Sequence, residues 1–571
     1  MRNWSTQWVV ARPLSGSQPD AWRHVHPLIA QILHNRGLST PASALTWLNG
    51  PGARVDPWAM KGIQAAVARV RAALRSGEAI VVYGDFDADG VTATALLLQT
   101  LKALGARVRA YIPDRESEGY GLNGPALSTM AQAGARLVIT VDCGIRAVDE
   151  VAAARAAGLD FIITDHHTPG PEMPPSSVII NPKQEGGDPA AVHLTGAGLA
   201  FRLAQALLRS ARHDRMALRL KERELLDLVA LGTVADMASL ADPQNRALVR
   251  EGLQVINEAR RPGIDALLQV AGLTPGKVTA RDLAFVLGPR INAAGRLESA
   301  MLASDLLMSE DPAEAARLAL RLQALNDKRR ALTHAAQEDI NQELAGQTST
   351  PPLILAAREN IAAGIVGLVA GRLCEEWQRP VVVLARGPQE SRASCRSVAD
   401  FNIIRALDQC ADLLLRHGGH EQAAGFTIRN DNLPALQERL SDLAQDAGTG
   451  NPRQAALEID AEVRACQLRP ALLEELATLE PTGAGNPPPL LLLRAARVLD
   501  RRLVGRGGHH LKLRLAGDNG ERLEAIGFRL GERARQLPQR VDLAFHLERN
   551  EWRGRQRLQL NLLDIRPAQA D

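Results

Sequence analysis

The sequence predicts an α/β protein in which two α/β domains are joined by a long helix and followed by a small all-β domain. Three observations carry this. Short apolar runs alternate with helical stretches from residue 63 to residue 180, the pattern of a parallel sheet covered on both faces. The stretch Asp311 to Gln342 is amphipathic and long enough to bridge two lobes. Beyond residue 510 the pattern changes to short alternating segments.

Residues 1–65 hold Pro and Trp with little periodicity and are read as an N-terminal cap with short helices. The parallel-sheet domain spans 66–260. Ile63 to Arg75 is helical and leads into it. Glu78 to Tyr83 (EAIVVY) is a buried strand, Val91 to Leu104 a helix and Arg107 to Ile112 a strand. Leu137 to Val141 (LVITV), Phe161 to Thr164 (FIIT) and Val178 to Ile180 are further strands, with a helix at Ala147 to Ala157. Helices dominate from Ala197 to about Leu344, the clearest being Glu222 to Gly232 and Asp311 to Gln342. The helical connector is 261–345. Gly346 to Pro352 (GQTSTPP) is a linker. It opens the second α/β domain, 346–450, with strands LILAA and VVVLA. Asn451-Pro-Arg opens the last domain, 451–571. There a helix at Pro470 to Leu479 precedes alternating segments at His510 to Leu515, Val541 to Leu547 and Leu558 to Leu563, a small β-barrel or sandwich.

The bulk properties narrow the function class. A chain of 571 residues suits three or four domains, and 46% apolar residues can fill several cores. The N-terminus lacks an apolar signal segment and no run of about 18 apolar residues occurs, so neither secretion nor a membrane span is expected. Five scattered cysteines without a CxxC pair argue against disulfides and zinc-thiolate sites, and suit the cytoplasm. Net charge is only +3, but Leu491 to Asp571 carries 17 Lys and Arg against 10 Asp and Glu, leaving −4 elsewhere. A polyanion, or a merely solvated surface, fits that basic segment.

The chemistry gathers around acids. Val81-Val-Tyr-Gly-Asp85-Phe-Asp87-Ala-Asp89-Gly90 places three carboxylates at alternate positions after a strand. Alternate residues of extended chain share a face, and crowded carboxylates are most simply neutralised by a divalent cation. The alternative is a plain turn. An EF-hand fails, because a strand precedes the loop and its twelfth position is Leu96. Asp142 directly follows a second strand, and Asp165-His166-His167 a third. In an open parallel sheet, ligands collect at the carboxyl ends of strands. Asp236 ends an apolar helical run and is expected to reach the same edge. Carboxylates and imidazoles without thiolate favour Mn²⁺ or Mg²⁺. Two ions about 3.5–4 Å apart suit phosphoester hydrolysis. There is no G-x-x-x-x-G-K-[ST] loop and no G-x-S-x-G elbow.

Asp165-His166-His167 is the motif of the DHH phosphoesterase superfamily. With YGDFDADG, VDCG and VADM in this order, the chain resembles the RecJ family of single-strand-specific DNA exonucleases. The likeness continues through Arg115 to Gly121, Gly288 to Arg296, Phe401-Asn402, Gly418 to Gly425, Pro481 to Pro487 and Asn550-Glu-Trp. It implies a DHH domain, a DHHA1 domain and an OB-fold. It also implies 5′→3′ degradation of single-stranded DNA to mononucleotides with Mn²⁺ or Mg²⁺, in DNA repair and recombination, alongside a single-strand-binding protein and a helicase. By resemblance, Asp87, Asp89, Asp142, His166 and Asp236 are metal ligands, with Asp142 the bridge. Asp85, Asp165 and His167 are catalytic helpers, His167 as phosphate contact or proton donor. Ser394, Arg396, a Gly418-Gly419-His420 turn, Arg115, Arg290 and Asn292 hold the strand, with a structural ion pair the alternative for Arg290. Two stretches depart from the family. Asn360-Ile-Ala-Ala-Gly364 stands where Trp-His-x-Gly is usual, and Pro481-Thr-Gly483 where Pro-Phe-Gly is usual. Both lose a group that could stack on a base or support a loop.

In the last domain, Arg501, Arg502, Lys512, Arg553, Arg555 and Arg557 are candidates for a basic groove. Phe528 and Phe545 are expected in the core and Trp552 in a polar turn. Two rival readings remain: a DHH phosphodiesterase for short oligonucleotides or small nucleotides, and a non-catalytic DHH scaffold.

Overall fold

The computed structural model describes residues 7–14, 22, 25–50, 56–347, 350–449, 456–517, 520–552 and 555–568. Asn451 to Arg453 and Arg553, and the side chains of Trp552 and Arg555, lie outside the described set. The chain forms two compact units. One comprises 53–238 and 248–452, the other 1–52, 239–247 and 453–571.

The first unit opens on a five-stranded sheet, all parallel: β1 (Ala79–Tyr83), β2 (Arg107–Tyr111), β3 (Ala135–Val141), β4 (Asp160–Thr164) and β5 (Val178–Ile180). The order is β2-β1-β3-β4-β5, so the winding reverses between β1 and β3. Val81, Val82, Val138, Ile139, Ile162 and Ile163 are buried, which is why these strands read as continuous apolar runs. Helix α1 (Ala88–Ala103) starts three residues earlier than its periodicity suggests, because the Asp87 carboxylate caps it through Asp89 N and Gly90 N. Helices α2 (Gly196–His213) and α3 (Leu226–Ala235) pack against it. Residues Glu222–Leu225, expected to belong to α3, form a separate 3₁₀ turn. A π-turn at Leu283–Leu287 then leads into α4 (Gly288–Leu297).

Helix α5 (Pro312–Ala345) leads to a second sheet. Its strands are β6 (Ile354–Arg358), β7 (Val381–Arg386), β8 (Glu390–Arg396), β9 (Leu414–His420) and β10 (Ala423–Arg429), in the order β9-β10-β8-β7-β6. Only β6 and β7 are parallel. The antiparallel strands β8 to β10 escaped the sequence reading because β8 buries only the small Ser391, Ala393 and Cys395, β9 is largely polar and exposed, and the buried Phe426 and Ile428 of β10 alternate with other residues. Helix α6 (Val366–Trp377) packs on this sheet.

The second unit holds a closed barrel of β11 (Leu491–Val504), β12 (His510–Ala516), β13 (Arg522–Gly527), β14 (Arg540–Trp552) and β15 (Arg555–Pro567). Closure comes from pairing of β11 with both β12 and β14, which decides for a barrel over a sandwich. Phe545 is fully buried, but Phe528 is 55% exposed, against expectation. It sits in the turn after β13 with its ring edge-on to His510 at 5.3 Å. Most of the expected groove cations are already engaged. Arg501 donates to the carbonyls of Ala534 and Leu537, Arg502 pairs with Asp500, and Lys512 and Arg557 pair with Glu524.

The N-terminal residues are built into this unit. Gln7–Val10 pairs in parallel with Ala456–Ile459. Arg246, fully buried, stacks 3.6 Å over the Trp47 ring and donates to the carbonyls of Thr478, Leu479, Glu480 and Pro481, after helix α7 (Pro470–Ala477). Cations favour helix C-termini, and here one guanidinium serves four carbonyls, two of which, Leu479 O and Pro481 O, it shares with Asn486 Nδ2. Thr482 is buried beside the Glu480 carboxylate, and a Cβ on Gly483 would meet Leu240 at 2.9 Å. This stretch therefore packs inside its own unit, so the Thr482 departure is absorbed by packing.

Arg246→Leu keeps roughly the volume but takes the side-chain donor from the carbonyls of Thr478 and Glu480, those of Leu479 and Pro481 keeping Asn486 Nδ2. The expected outcome is a loss of roughly 3 kcal/mol or more in urea unfolding, a larger loss than Arg502→Leu on the barrel surface causes.

Candidate active site

Strand register places the acids. Tyr83 lies opposite Thr140, and Val141 opposite Thr164. Continued past the strand ends, that register sets Asp85, Asp142 and Asp165 in one row across the carboxyl edge. The row crosses the reversal between β1 and β3, where an open α/β sheet forms its crevice.

Each acid is held differently. Asp87 is half-buried, capping α1 with one oxygen. Asp89 is buried, and its oxygens accept from Gly196 N at 2.6 Å and Ala197 N at 2.9 Å, at the start of α2. A helix N-terminus is a good partner for a carboxylate. A Cβ on Gly196 would fall 2.5 Å from Asp142 Cβ, so only glycine lets α2 begin here. Asp142 is buried with φ +63°, a left-handed conformation that Asp tolerates better than most residues. Its Oδ1 lies 3.1 Å from His166 Nε2 but accepts no hydrogen bond, and Asp85 Oδ1 is buried without a partner. Asp236 Oδ2 lies 3.9 Å from His166 Nε2.

These groups converge. Ligand atoms within 4.8 Å of one another come from Asp85, Asp87 and Asp142, from Asp89, His166 and Asp236, and from Asp142, His166 and His167. Asp142 and His166 each belong to two of the three sets. Buried carboxylate oxygens lacking donors, beside an imidazole that makes no hydrogen bond to them, are the environment a divalent cation satisfies. The residues present therefore fit divalent cations at this edge.

The proton affinities agree. Burial, reinforced by Asp87, pushes Asp89 up to about 7. Burial, then Asp89 and Asp87, pushes Asp236 up to about 8. Asp85 and Asp142 are pushed well above the carboxylate range, by burial first and by neighbouring carboxylates second. Burial, with His167 alongside, lowers His166 to about 4, leaving a neutral imidazole. Asp165 behaves otherwise. Its Oδ1 accepts from His167 N and lies 2.8 Å from His167 Nδ1, and its Oδ2 accepts from Ile145 N. His167 is raised despite burial, because Asp165 faces it. Asp165 thus orients His167 and stands outside the converging sets. Tyr120 packs edge-on to the His167 ring.

Cations adjoin the acids. The Arg115 guanidinium lies 4.3 Å from the Phe86 ring centre, within the field of Asp85 and Asp87. Ser394 and Arg396 share one face of β8, with Arg396 donating to Ser394 Oγ at 3.1 Å. The sequence reading missed Arg296 and Arg329. Burial lowers Arg296 to about 9, with Arg115, Arg329 and Arg396 acting in the same direction. Arginines that repel one another in a half-buried place are disposed to take an anion. Arg296 closes the GPRINAAGR stretch, so the signal was present. Gly364 of the departing Asn360–Gly364 stretch admits Arg296, since a Cβ there would lie 2.0 Å from Arg296 O.

Other expected contacts are placed differently. Arg290 donates to Val286 O at 2.6 Å in the π-turn and to Gln323 Oε1 at 2.8 Å, a bracing role without an ion pair. Asn292 Oδ1 accepts from Ala88 N at 2.7 Å and steadies the acidic loop. Gly418, Gly419 and His420 form the end of strand β9 and not a turn, with Gly418 opposite Gly425 and His420 exposed. Gly419, at φ +144°, leaves no room for a Cβ against Ala424.

The fold and its acidic edge define the DHH class. The model described as "DHH family, N-terminal domain" matches residues 79–233, the DHHA1 domain 350–446 and the RecJ OB domain 459–564. The single-stranded-DNA-specific exonuclease RecJ of Bacillus subtilis is 36% identical over 569 residues, covering 98% of this chain and 70% of the relative. Its namesake in Escherichia coli is 34% identical, covering 95% and 96%. The crystal structure of RecJ in complex with Mn²⁺ from Thermus thermophilus superposes with TM-score 0.84 at 34% identity, covering 100% of this chain and 81% of that one. Its complex with Mg²⁺ gives 0.78 at 32% identity, covering 100% and 80%. The chain belongs to the RecJ family of single-stranded-DNA-specific exonucleases.

The raised carboxyls make the metal-free protein pH-sensitive. Asp89 and Asp236 hold protons more tightly folded than unfolded. Their contribution to stability is full below about pH 4 and is lost as pH rises through about 7 and 8. In EDTA, the thermal midpoint is expected to fall across that window, and Mn²⁺ to restore more stability at its upper end. Differential scanning fluorimetry checks both.

Proposed function

We propose that this chain is a metal-dependent exonuclease that degrades single-stranded DNA from the 5′ end to mononucleotides. The observation that supports it best is the row of Asp85, Asp142 and Asp165 across the reversal point, with donor-starved oxygens on Asp85 and Asp142. Asp87, Asp89, Asp142, His166 and Asp236 would hold two Mn²⁺ or Mg²⁺ ions. Bound there, the ions supply charge neutralisation and Lewis-acid activation of water and phosphodiester. Asp85, buried with one oxygen lacking a donor, would face the same ions. Asp165 fixes the ring of His167, whose raised proton affinity suits it to hold a phosphate oxygen or give a proton to the leaving group.

Arg115, Ser394, Arg396 and Arg296 would take the terminal phosphates, with Gly418, Gly419 and His420 further along the strand. Arg290 and Asn292 would act by bracing α4 and the acidic loop. The domains on this reading are a cap at 1–65, a DHH domain at 66–260, a helical connector at 261–345, a DHHA1 domain at 346–450 and an OB-fold at 451–571. Family membership supports work in the cytoplasm in repair and recombination, on strands opened by a helicase and covered by a single-strand-binding protein. Among the described residues no helix is long and apolar enough to cross a membrane.

Digestion of 5′- and 3′-labelled single strands with Mn²⁺ tests the reading, with mononucleotides expected first from the 5′ label. Asp142→Ala or His166→Ala should cut turnover by more than about a hundredfold, beyond the loss typical of supporting groups, with the thermal midpoint in EDTA not lowered. Near-normal turnover in either variant defeats the assignment. Arg396→Ala should raise KM for a 5′-phosphorylated strand more than it lowers kcat.

A further inference from the structure

We propose that Met237 and Phe285 form an apolar platform for the nucleobase beside the scissile phosphate; this rests on the exonuclease reading. Helix α3 ends in a doubly bonded turn, with Met237 N donating to Val234 O and Ala238 N to Thr233 O, each at 3.2 Å. Met237 occupies the left-handed position of that turn, φ +57°, where glycine costs least and is the usual occupant. A methionine there gains no compensating burial, for it is 76% exposed. Local stability therefore gives no reason for this side chain, and its place in the chain does. The preceding residue is Asp236, one of the converging carboxylates.

Phe285 is the second element. It lies in the π-turn Leu283–Leu287, which packs against α3, and is 75% exposed. The turn runs into Gly288, where a Cβ would sit 3.2 Å from Ala235 Cβ. The phenylalanine is thus carried on the segment that abuts the end of α3. Single π-turns re-aim a side chain and recur at functional sites. Met237 and Phe285 are the two most exposed large apolar side chains among the described residues, and both flank the helix end that delivers Asp236.

The occupant follows from size and neighbourhood. Two side chains are far too little area for a stable protein interface. A base face, in contrast, is covered by one ring and a polarisable thioether. With the phosphodiester drawn to the carboxylate edge, the attached base is the apolar group that must lie close by. Stacking of this kind is sequence-tolerant, because every base has a π-face.

The test compares two 5′-phosphorylated strands of equal length with Mn²⁺. One is ordinary and one carries tetrahydrofuran abasic residues at the first two positions. The wild-type chain should prefer the ordinary strand in kcat/KM by about fivefold or more, the low end of base–aromatic stacking. In Met237→Gly/Phe285→Ala that preference should fall towards one. Its thermal midpoint should hold or rise, since glycine suits the turn. Phe285→Trp alone should keep the preference. A double variant that retains the wild-type preference overturns the platform, as does a lowered midpoint in Met237→Gly alone. Equal cleavage of both strands by the wild type defeats the platform while sparing the exonuclease reading. No nucleotide release from either strand defeats both.

Discussion

Mutual repulsion among carboxylates at the reversal point between β1 and β3 governs the first unit. Buried acids so close together are costly unless something positive is supplied, and the surrounding fold supplies part of it. The start of α2 donates two backbone N–H groups to Asp89, and the start of α1 donates two to Asp87. Asp165 is satisfied by His167 and Ile145 N. What remains unsatisfied is concentrated on Asp85 and Asp142, the residues nearest the reversal. The edge therefore holds acids whose charge the fold answers in part, Asp87 and Asp89 among them, and acids with oxygens left wholly to an external cation.

The second sheet answers with the opposite sign. Arg396 stands on β8, and Arg296 and Arg329 stand on α4 and α5, so three elements bring cations together. The acidic loop is tied to this side by Asn292, and the Arg115 loop by Arg392, which donates to Glu116 O at 2.8 Å. Carboxylates that want cations and arginines that want anions are thus held in one unit, an arrangement a metal-bound phosphate chain would complete.

Much of this was legible in the sequence, for physical reasons. Strands buried on both faces leave continuous apolar runs, so β1, β3 and β4 were recognisable, as was the acid after each; the edge strand β2 showed instead as an alternation. Strands β8 to β10 were not, because their buried positions are mostly small and alternate with polar residues, which leaves no apolar run to read. Side-chain destinations were the other failure. Nothing in the spacing of Arg290 or Asn292 says whether a guanidinium or amide turns outward or back onto its own scaffold. Likewise Phe528 reads as core by composition, and only the turn after β13 exposes it.

The knot around Arg246 bears on how the molecule is made. Trp47 and Arg246 find their partners with residues 478–481, and the apolar face of Pro27–Asn35 is buried in the same core as the barrel. Residues 53–238 and 248–452 can condense as they leave the ribosome, since domains tend to fold as units during synthesis. The helix Pro27–Asn35 cannot. Ile29, Ile32 and Leu33 stay uncovered until residues from Ala461 onward, made more than four hundred positions later, are there to meet them. A segment made before the first sheet is thus buried only after the second, and its apolar face is an aggregation hazard for that interval.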